Sequence, residues 1–211
     1  GLMSLETGKR ALDFLIEQSG TRRNLEVDFF GGEPLLNWEV CKELVKYGRE
    51  QEKKYNKNFR FTLTTNGILI NDDVIDFCNK EMGNVVLSLD GRKSTNDAMR
   101  VSRNGKGSYD LIVDKFTKFA DSRNHKDYYM RGTYTRNNLD FANDIIHMAD
   151  LGFKELSIEP VVSDPKEPYA LREEDLPILI ERALKEGNPL YPVPKIMDKK
   201  DCEAVIRSFM A

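Results

Sequence analysis

Cysteine and histidine are scarce in this chain, and this scarcity limits the sites it can build. The 211 residues contain three cysteines and two histidines. Cys41, Cys78 and Cys202 lie far apart, and an odd, scattered set favours free thiols in a reducing cytosol over a disulfide framework or a closed metal site. We therefore predict a cytoplasmic protein with no metal ligands among these residues.

Long apolar runs and an excess of one charge are also missing. Charged residues make up 32% of the chain with a net charge of -3, so there is no basic field to attract nucleic acid. The longest apolar runs have only the length of a strand, which is too short to span a membrane. We expect neither nucleic-acid nor membrane partners, and a length typical of one main domain.

The most informative stretch is the loop that follows the strand-like segment 25–30. That segment stops at Gly31 and Gly32, and Glu33 and Pro34 come next. Glycines leave backbone N–H and C=O groups open to a ligand, and proline suits the first turn of a helix. The pattern is compatible with a tight turn, or with a site that holds a small polar ligand by its backbone and one carboxylate.

Strand-like and helix-like segments alternate along the chain. Strand patterns cover 25–30, 59–65, 84–89, 127–135 and 153–162. Helix patterns cover 4–17, 38–55, a segment with Asp72 or Asp73 as its N-terminal cap, 108–120, 141–151 and 173–184. Between them, 92–107 is a polar segment with no assigned element. This alternation predicts an α/β fold with a mainly parallel sheet.

Polar residues recur where the predicted strands end. In parallel sheets and barrels the chemistry collects at the carboxyl ends of the strands. Any one of these residues alone is better explained as a cap or turn, whereas together they favour a shared ligand site. They are Glu33, Thr65, Asn66, Ser88, Asp90, Arg131, Thr133 and Glu159.

With these residues in view, the chain resembles the middle of a radical S-adenosylmethionine (SAM) enzyme. It is most similar to peptide and protein maturases, such as anaerobic sulfatase-maturating enzymes and six-cysteine-peptide thioether maturases. The resemblance spans about residues 3–184 and rests on the segments 29–35, 64–67, 88–91, 100–109 and 131–133. It implies a partial (β/α) barrel of parallel strands over 1–184 whose first strand is missing. A proline-rich connector and short helical tail would follow over 185–211.

The resemblance also implies roles for the strand-end residues. Gly31, Gly32 and Glu33 would bind the amino group of SAM, since an ammonium needs carbonyl and carboxylate partners. Arg131 would pair with the methionine carboxylate. Asp90 would be a catalytic residue beside the ribose and the substrate. The other implied cofactor-binding positions are Thr65, Asn66, Ser88, Ile158 and Glu159.

In this family a [4Fe–4S] cluster cleaves SAM reductively, and the resulting 5′-deoxyadenosyl radical abstracts hydrogen from a peptide. The resemblance thus implies an oxidoreductase-like maturase with SAM and a [4Fe–4S] cluster as cofactors and a peptide or protein substrate. The family's Cys-x3-Cys-x2-Cys cluster motif and its auxiliary-cluster domain are absent from this sequence. We therefore interpret the chain as a fragment that keeps most of the SAM-binding surface and is inactive by itself.

Two other functions stay open. A metal-dependent barrel hydrolase or lyase could use Glu33, Asp90 and Glu159, although neither histidine follows a predicted strand. A nucleoside-binding fragment would keep affinity for the nucleoside but catalyse no reaction.

A missing first strand would expose the sheet edge beside 25–30. We therefore expect the segment 190–197 or a second copy of the chain to cover that edge.

Overall fold

A computed structural model of the chain describes residues 1–187 and 198–208. Within them is a five-stranded parallel sheet with the strand order β1-β2-β3-β4-β5. The strands are β1 (Asn24–Phe29), β2 (Asn58–Thr65), β3 (Met82–Ser88), β4 (Tyr128–Tyr134) and β5 (Leu156–Pro160). Since neighbouring strands run in the same direction, their carboxyl ends share one edge of the sheet. This half-barrel confirms the predicted α/β partial barrel.

Helices connect the strands and follow the last one. They are α1 (Leu5–Gln18), α2 (Trp38–Tyr55), α3 (Asp72–Glu81), α4 (Lys93–Met99), α5 (Tyr109–Ser122), α6 (Ala142–Asp150), α7 (Leu176–Gly187) and α8 (Lys199–Arg207). The prediction that Asp72 or Asp73 caps α3 is wrong, because Asn71 accepts the capping bond from Val74 N–H. None of the helices in the described ranges is long and apolar enough to cross a membrane.

The two faces of the sheet differ in polarity. Side chains alternate along each strand, so the residues of one face recur at every second position. The outer face carries apolar residues packed against the helices, including the fully buried Phe61, Leu63, Val85, Leu87 and Met130. The register places mostly polar residues side by side on the inner face, among them Asp28, Thr62, Ser88, Arg131 and Glu159.

A second, smaller core stands beside the carboxyl ends of β4 and β5. Helices α7 and α8 pack against each other there, and Cys202 and Ile206 of α8 are buried between them. Tyr134, at the end of β4, stacks on Phe141 with their ring centroids 4.3 Å apart. The helix predicted to follow the proline-rich segment is therefore part of a packed unit.

The polar segment after β3 contains helix α4, which has no apolar repeat in its sequence. Its stability comes from tertiary contacts around Asn96, which is fully buried. Asn96 Oδ1 accepts from Asp90 N–H at 3.4 Å, and Asn96 Nδ2 donates to Ser108 Oγ at 3.2 Å. The predicted cover for the β1 edge, 190–197, lies outside the described residues.

Candidate ligand-binding site at the strand ends

The loop after β1 presents bare backbone to open space. Gly31 and Gly32 have φ angles of +91° and +56°, in the left-handed region that favours glycine. A Cβ atom added to either residue would meet no atom within 4 Å. Backbone groups in this loop are therefore accessible to a ligand, as the sequence predicts.

Glu33 is held firmly beside this loop by the end of β2. Its Oε1 accepts hydrogen bonds from Thr65 Oγ1 at 2.8 Å and Leu35 N–H at 3.0 Å, and its Oε2 accepts from Asn66 N–H at 2.7 Å. A carboxylate offers about four lone-pair positions, so roughly one remains for a ligand donor. Thr65 and Asn66, two of the predicted strand-end residues, thus orient Glu33, which is a third.

A cleft of about 540 Å³ opens beside Glu33. One part of its lining is apolar and includes Leu36, Leu69, Met99 and Val101, all of them exposed. The polar lining residues are Glu33, Asn66, Arg100, Ser102, Arg103 and Ser108. A carboxylate, two guanidinium groups and an apolar wall therefore share one concave surface, which suits a ligand that is part zwitterion and part apolar.

Asp90 has a different environment from the one expected of a catalytic residue. It is only 3% exposed and is not among the residues that line the cleft. Arg100 Nε donates to its Oδ2 at 2.8 Å and Arg100 Nη2 to its Oδ1 at 2.9 Å. Thr133 N–H also donates to Oδ1 at 2.9 Å. Both oxygens of this carboxylate are therefore committed to protein donors.

Arg131 and Ser88 are register partners on the inner face of the sheet. Arg131 Nε lies 3.4 Å from Glu159 Oε1, an ion pair without hydrogen-bond geometry, and this buried nitrogen has no hydrogen-bond partner in the described chain. On β5, Ile158 pairs with Gly132 through the backbone, and its side chain points to the opposite face from that of Glu159. Arg131, Ser88 and Glu159 thus form a second polar cluster, outside the lining of the cleft.

The sequence analysis gave no role to two functional candidates. Arg100 lies in a segment that carries the resemblance and lines the cleft, but its local sequence does not indicate what it binds. Asp28 shares the inner face with Arg131 and accepts a hydrogen bond from Thr64 Oγ1 at 3.4 Å. Burial raises the pKa of Asp28, while the Thr64 bond and the Arg131 charge oppose that shift. The alternation of side chains along β1 could have identified Asp28.

The cysteines do not fit an iron–sulfur cluster. Cys41, Cys78 and Cys202 are buried on three different helices, α2, α3 and α8. Burial raises the pKa of Cys41 to about 11 and that of Cys78 to about 12, which disfavours the thiolate that a metal needs. Across 1–187 and 198–208, no three His, Cys, Asp or Glu side chains come together as metal ligands. The hydrolase or lyase alternative therefore finds no ligand set in this part of the chain.

Comparison with known proteins finds related sequences and a related fold. A cysteine-type anaerobic sulfatase-maturating enzyme of Clostridium novyi is 30% identical over 164 residues, which cover 72% of this chain and 42% of that enzyme. The radical SAM cyclopropyl synthase TigE of Paramaledivibacter caminithermalis is 24% identical over 151 residues, covering 70% and 30% respectively. An uncharacterized protein of Methanocaldococcus jannaschii is 32% identical over 106 residues, covering 50% and 35%.

A solved structure, native anSMEcpe with bound AdoMet and Kp18Cys peptide, superimposes with a TM-score of 0.75 at 20% identity. The match covers 88% of this chain and 52% of that one, and it shows a shared fold. The chain spans about half or less of the length of these relatives. The sequence profile described as the radical SAM superfamily matches residues 2–141, well over half of the chain, and the chain therefore belongs to the radical SAM superfamily.

Proposed function

We propose that the cleft beside Glu33 binds SAM by its methionine zwitterion. The single observation that carries this proposal is that one cleft contains both a carboxylate and a guanidinium nitrogen with unused hydrogen-bonding capacity. Glu33 would accept from the ammonium together with backbone carbonyls of Gly31 and Gly32. Arg100 Nη1 has no partner among the described residues and would donate to the carboxylate.

We assign the second polar cluster to the part of SAM outside its methionine zwitterion. The resemblance places Arg131 on the methionine carboxylate, but Arg100 shares a cleft with Glu33 and Arg131 does not. We assign Arg131, with Ser88 and Glu159, to the nucleoside half, and the backbone at Ile158 to adenine. The orphaned Arg131 Nε supports a polar ligand at that position.

For the whole protein we propose a peptide-modifying oxidoreductase of the maturase type, acting in the cytosol. The names of the sulfatase-maturating and cyclopropyl synthase relatives support this class, and the peptide bound to the solved relative supports a peptide substrate. SAM supplies radical chemistry in this superfamily when it is bound beside a reduced iron–sulfur cluster. The described residues contribute the SAM-binding surface to that reaction and no cluster ligands.

Equilibrium dialysis of labelled SAM against the 211-residue chain tests the binding site. Glu33→Gln removes the charge that pairs with the ammonium, and we expect roughly tenfold or greater loss of affinity. Glu26→Gln is the matched control, since Glu26 lies in the amino-terminal half of β1, is 75% exposed and pairs with Arg60 at 3.4 Å. Failure of the wild-type chain to bind SAM saturably, or unchanged binding by Glu33→Gln, contradicts the proposal.

A further inference from the structure

We propose that Asp90 is a positioning residue that orients Arg100 toward the carboxylate of the ligand. This inference rests on the proposed function of the cleft. It gives Asp90 a role that differs from the catalytic one implied by the resemblance, and it makes ligand selectivity depend on a side chain that the ligand never touches.

The Asp90–Arg100 pair has the geometry of a rigid two-point contact. Two guanidinium nitrogens of Arg100 each donate to a different oxygen of Asp90, at 2.8 and 2.9 Å. A guanidinium is planar, so locking Nε and Nη2 also determines the direction of Nη1. The Arg100 side chain keeps 28% of its surface exposed and lines the cleft, whereas the Asp90 side chain keeps 4%.

Asp90 is itself anchored to two parts of the fold, once by its carboxylate and once by its backbone N–H. Thr133 N–H, near the end of β4, donates to Asp90 Oδ1, while Asp90 N–H donates to Asn96 of α4. Arg100 is the C-cap residue of α4, so Asp90 joins the end of the helix that carries the guanidinium to the end of the sheet. Movement of α4 against β4 would misalign Arg100, and Asp90 opposes that movement.

The carboxylate of Asp90 is poorly placed to transfer a proton to or from a ligand. A general acid or base must come within about 2.6–3.2 Å of the reacting atom. Asp90 does not line the cleft, and its two oxygens already accept three hydrogen bonds. Protonation would break the pair with Arg100 and leave a partly buried cation without its partner.

The test compares two ligands that differ only in the carboxylate: SAM and decarboxylated SAM. If Arg100 binds the carboxylate, loss or misalignment of Arg100 weakens the binding of SAM and leaves the binding of the decarboxylated analogue unchanged. We expect Asp90→Asn and Arg100→Lys each to lower the SAM to analogue affinity ratio roughly tenfold. The Asp90→Asn/Arg100→Lys double variant should lose little more than either single variant, because the two residues act as one unit.

Asp140→Asn is the matched control. Asp140 also pairs with an arginine, Arg92, at 2.8 Å, but it does not line the cleft, so the affinity ratio should stay unchanged. Circular dichroism and urea unfolding show which variants fold. If Asp90→Asn does not fold, Asp90→Glu takes its place, because it keeps the charge but displaces the carboxylate, and it should lower the affinity ratio in the same way.

The outcomes separate this inference from the function on which it rests. An equal loss of affinity for both ligands in Asp90→Asn or Arg100→Lys, or no loss for either, overturns the positioning role. So does additivity of the two substitutions. If the wild-type chain binds SAM in a Glu33-dependent way and the ratio does not change, only the positioning role fails. If the wild-type chain does not bind SAM, both fail together.

Discussion

Asp144 is the centre of a buried polar network next to the proposed site, and its replacement by alanine should be strongly destabilising. Its side chain is fully buried. Its carboxylate accepts from Arg92 N–H at 3.0 Å, Arg92 Nε at 2.7 Å, Thr95 Oγ1 at 3.0 Å and Asn138 Nδ2 at 3.2 Å. These bonds join the turn after β3 to helix α6 and to the loop after β4.

The magnitude follows from what Asp144→Ala leaves behind. Each buried donor without a partner costs about 1–3 kcal/mol, and breaking a buried ion pair costs about 3–5 kcal/mol. The Arg92 side chain is 33% exposed and keeps its bond to Asp140, so water and Asp140 recover part of the loss. We therefore expect the free energy of unfolding to fall by about 3–4 kcal/mol.

Urea unfolding of the full chain measures this loss as a lower transition midpoint at an unchanged slope. Asp140→Ala is the control, because Asp140 pairs with the same Arg92 but is 40% exposed, and we expect a loss of about 1 kcal/mol or less. A loss below about 1 kcal/mol for Asp144→Ala, or equal losses for the two variants, would show that burial does not govern the energy of this network.

Two further predictions concern packing and pH. Gly67→Ala should destabilise the protein by about 1–3 kcal/mol more than Gly105→Ala in urea unfolding. Both glycines have positive φ, so the backbone strain is similar. A Cβ on Gly67 would lie 2.3 Å from Phe116, whereas a Cβ on Gly105 would meet nothing within 4 Å. Equal losses of unfolding free energy in the two variants would contradict this packing. Because burial raises the pKa of Cys41 to about 11 and of Cys78 to about 12, the folded chain keeps protons that the unfolded chain releases. The free energy of unfolding should therefore fall as pH rises above about 9. Rapid labelling of these two thiols in the native protein at mildly alkaline pH would refute their burial.

Local patterns in the sequence were enough to predict the α/β class, the parallel strands and the bare-backbone loop. Short apolar segments alternate with amphipathic helices, and this alternation is compatible with few topologies other than sequential parallel strands. Gly31 and Gly32 identify the loop because their φ angles are ones that other residues rarely adopt. These features depend on a few neighbouring residues each, so the sequence alone determines them.

Helix α4 illustrates what local patterns cannot supply. Its sequence, Lys93–Met99, is short and polar, and its serine, threonine, asparagine and aspartate side chains compete with the backbone for hydrogen bonds. It is helical in the fold because Asn96 is buried between Asp90 and Ser108. Such contacts exist only once distant segments have come together.

The roles of the strand-end carboxylates were likewise decided by tertiary structure. Glu33 and Asp90 both follow strands, and the sequence treats them alike as candidates for a site. In the fold Glu33 keeps unused acceptor capacity in an open cleft, whereas Asp90 is buried against Arg100 and Thr133. A carboxylate's availability depends on how many donors surround it and on its access to solvent, and both are set by partners far away in the chain.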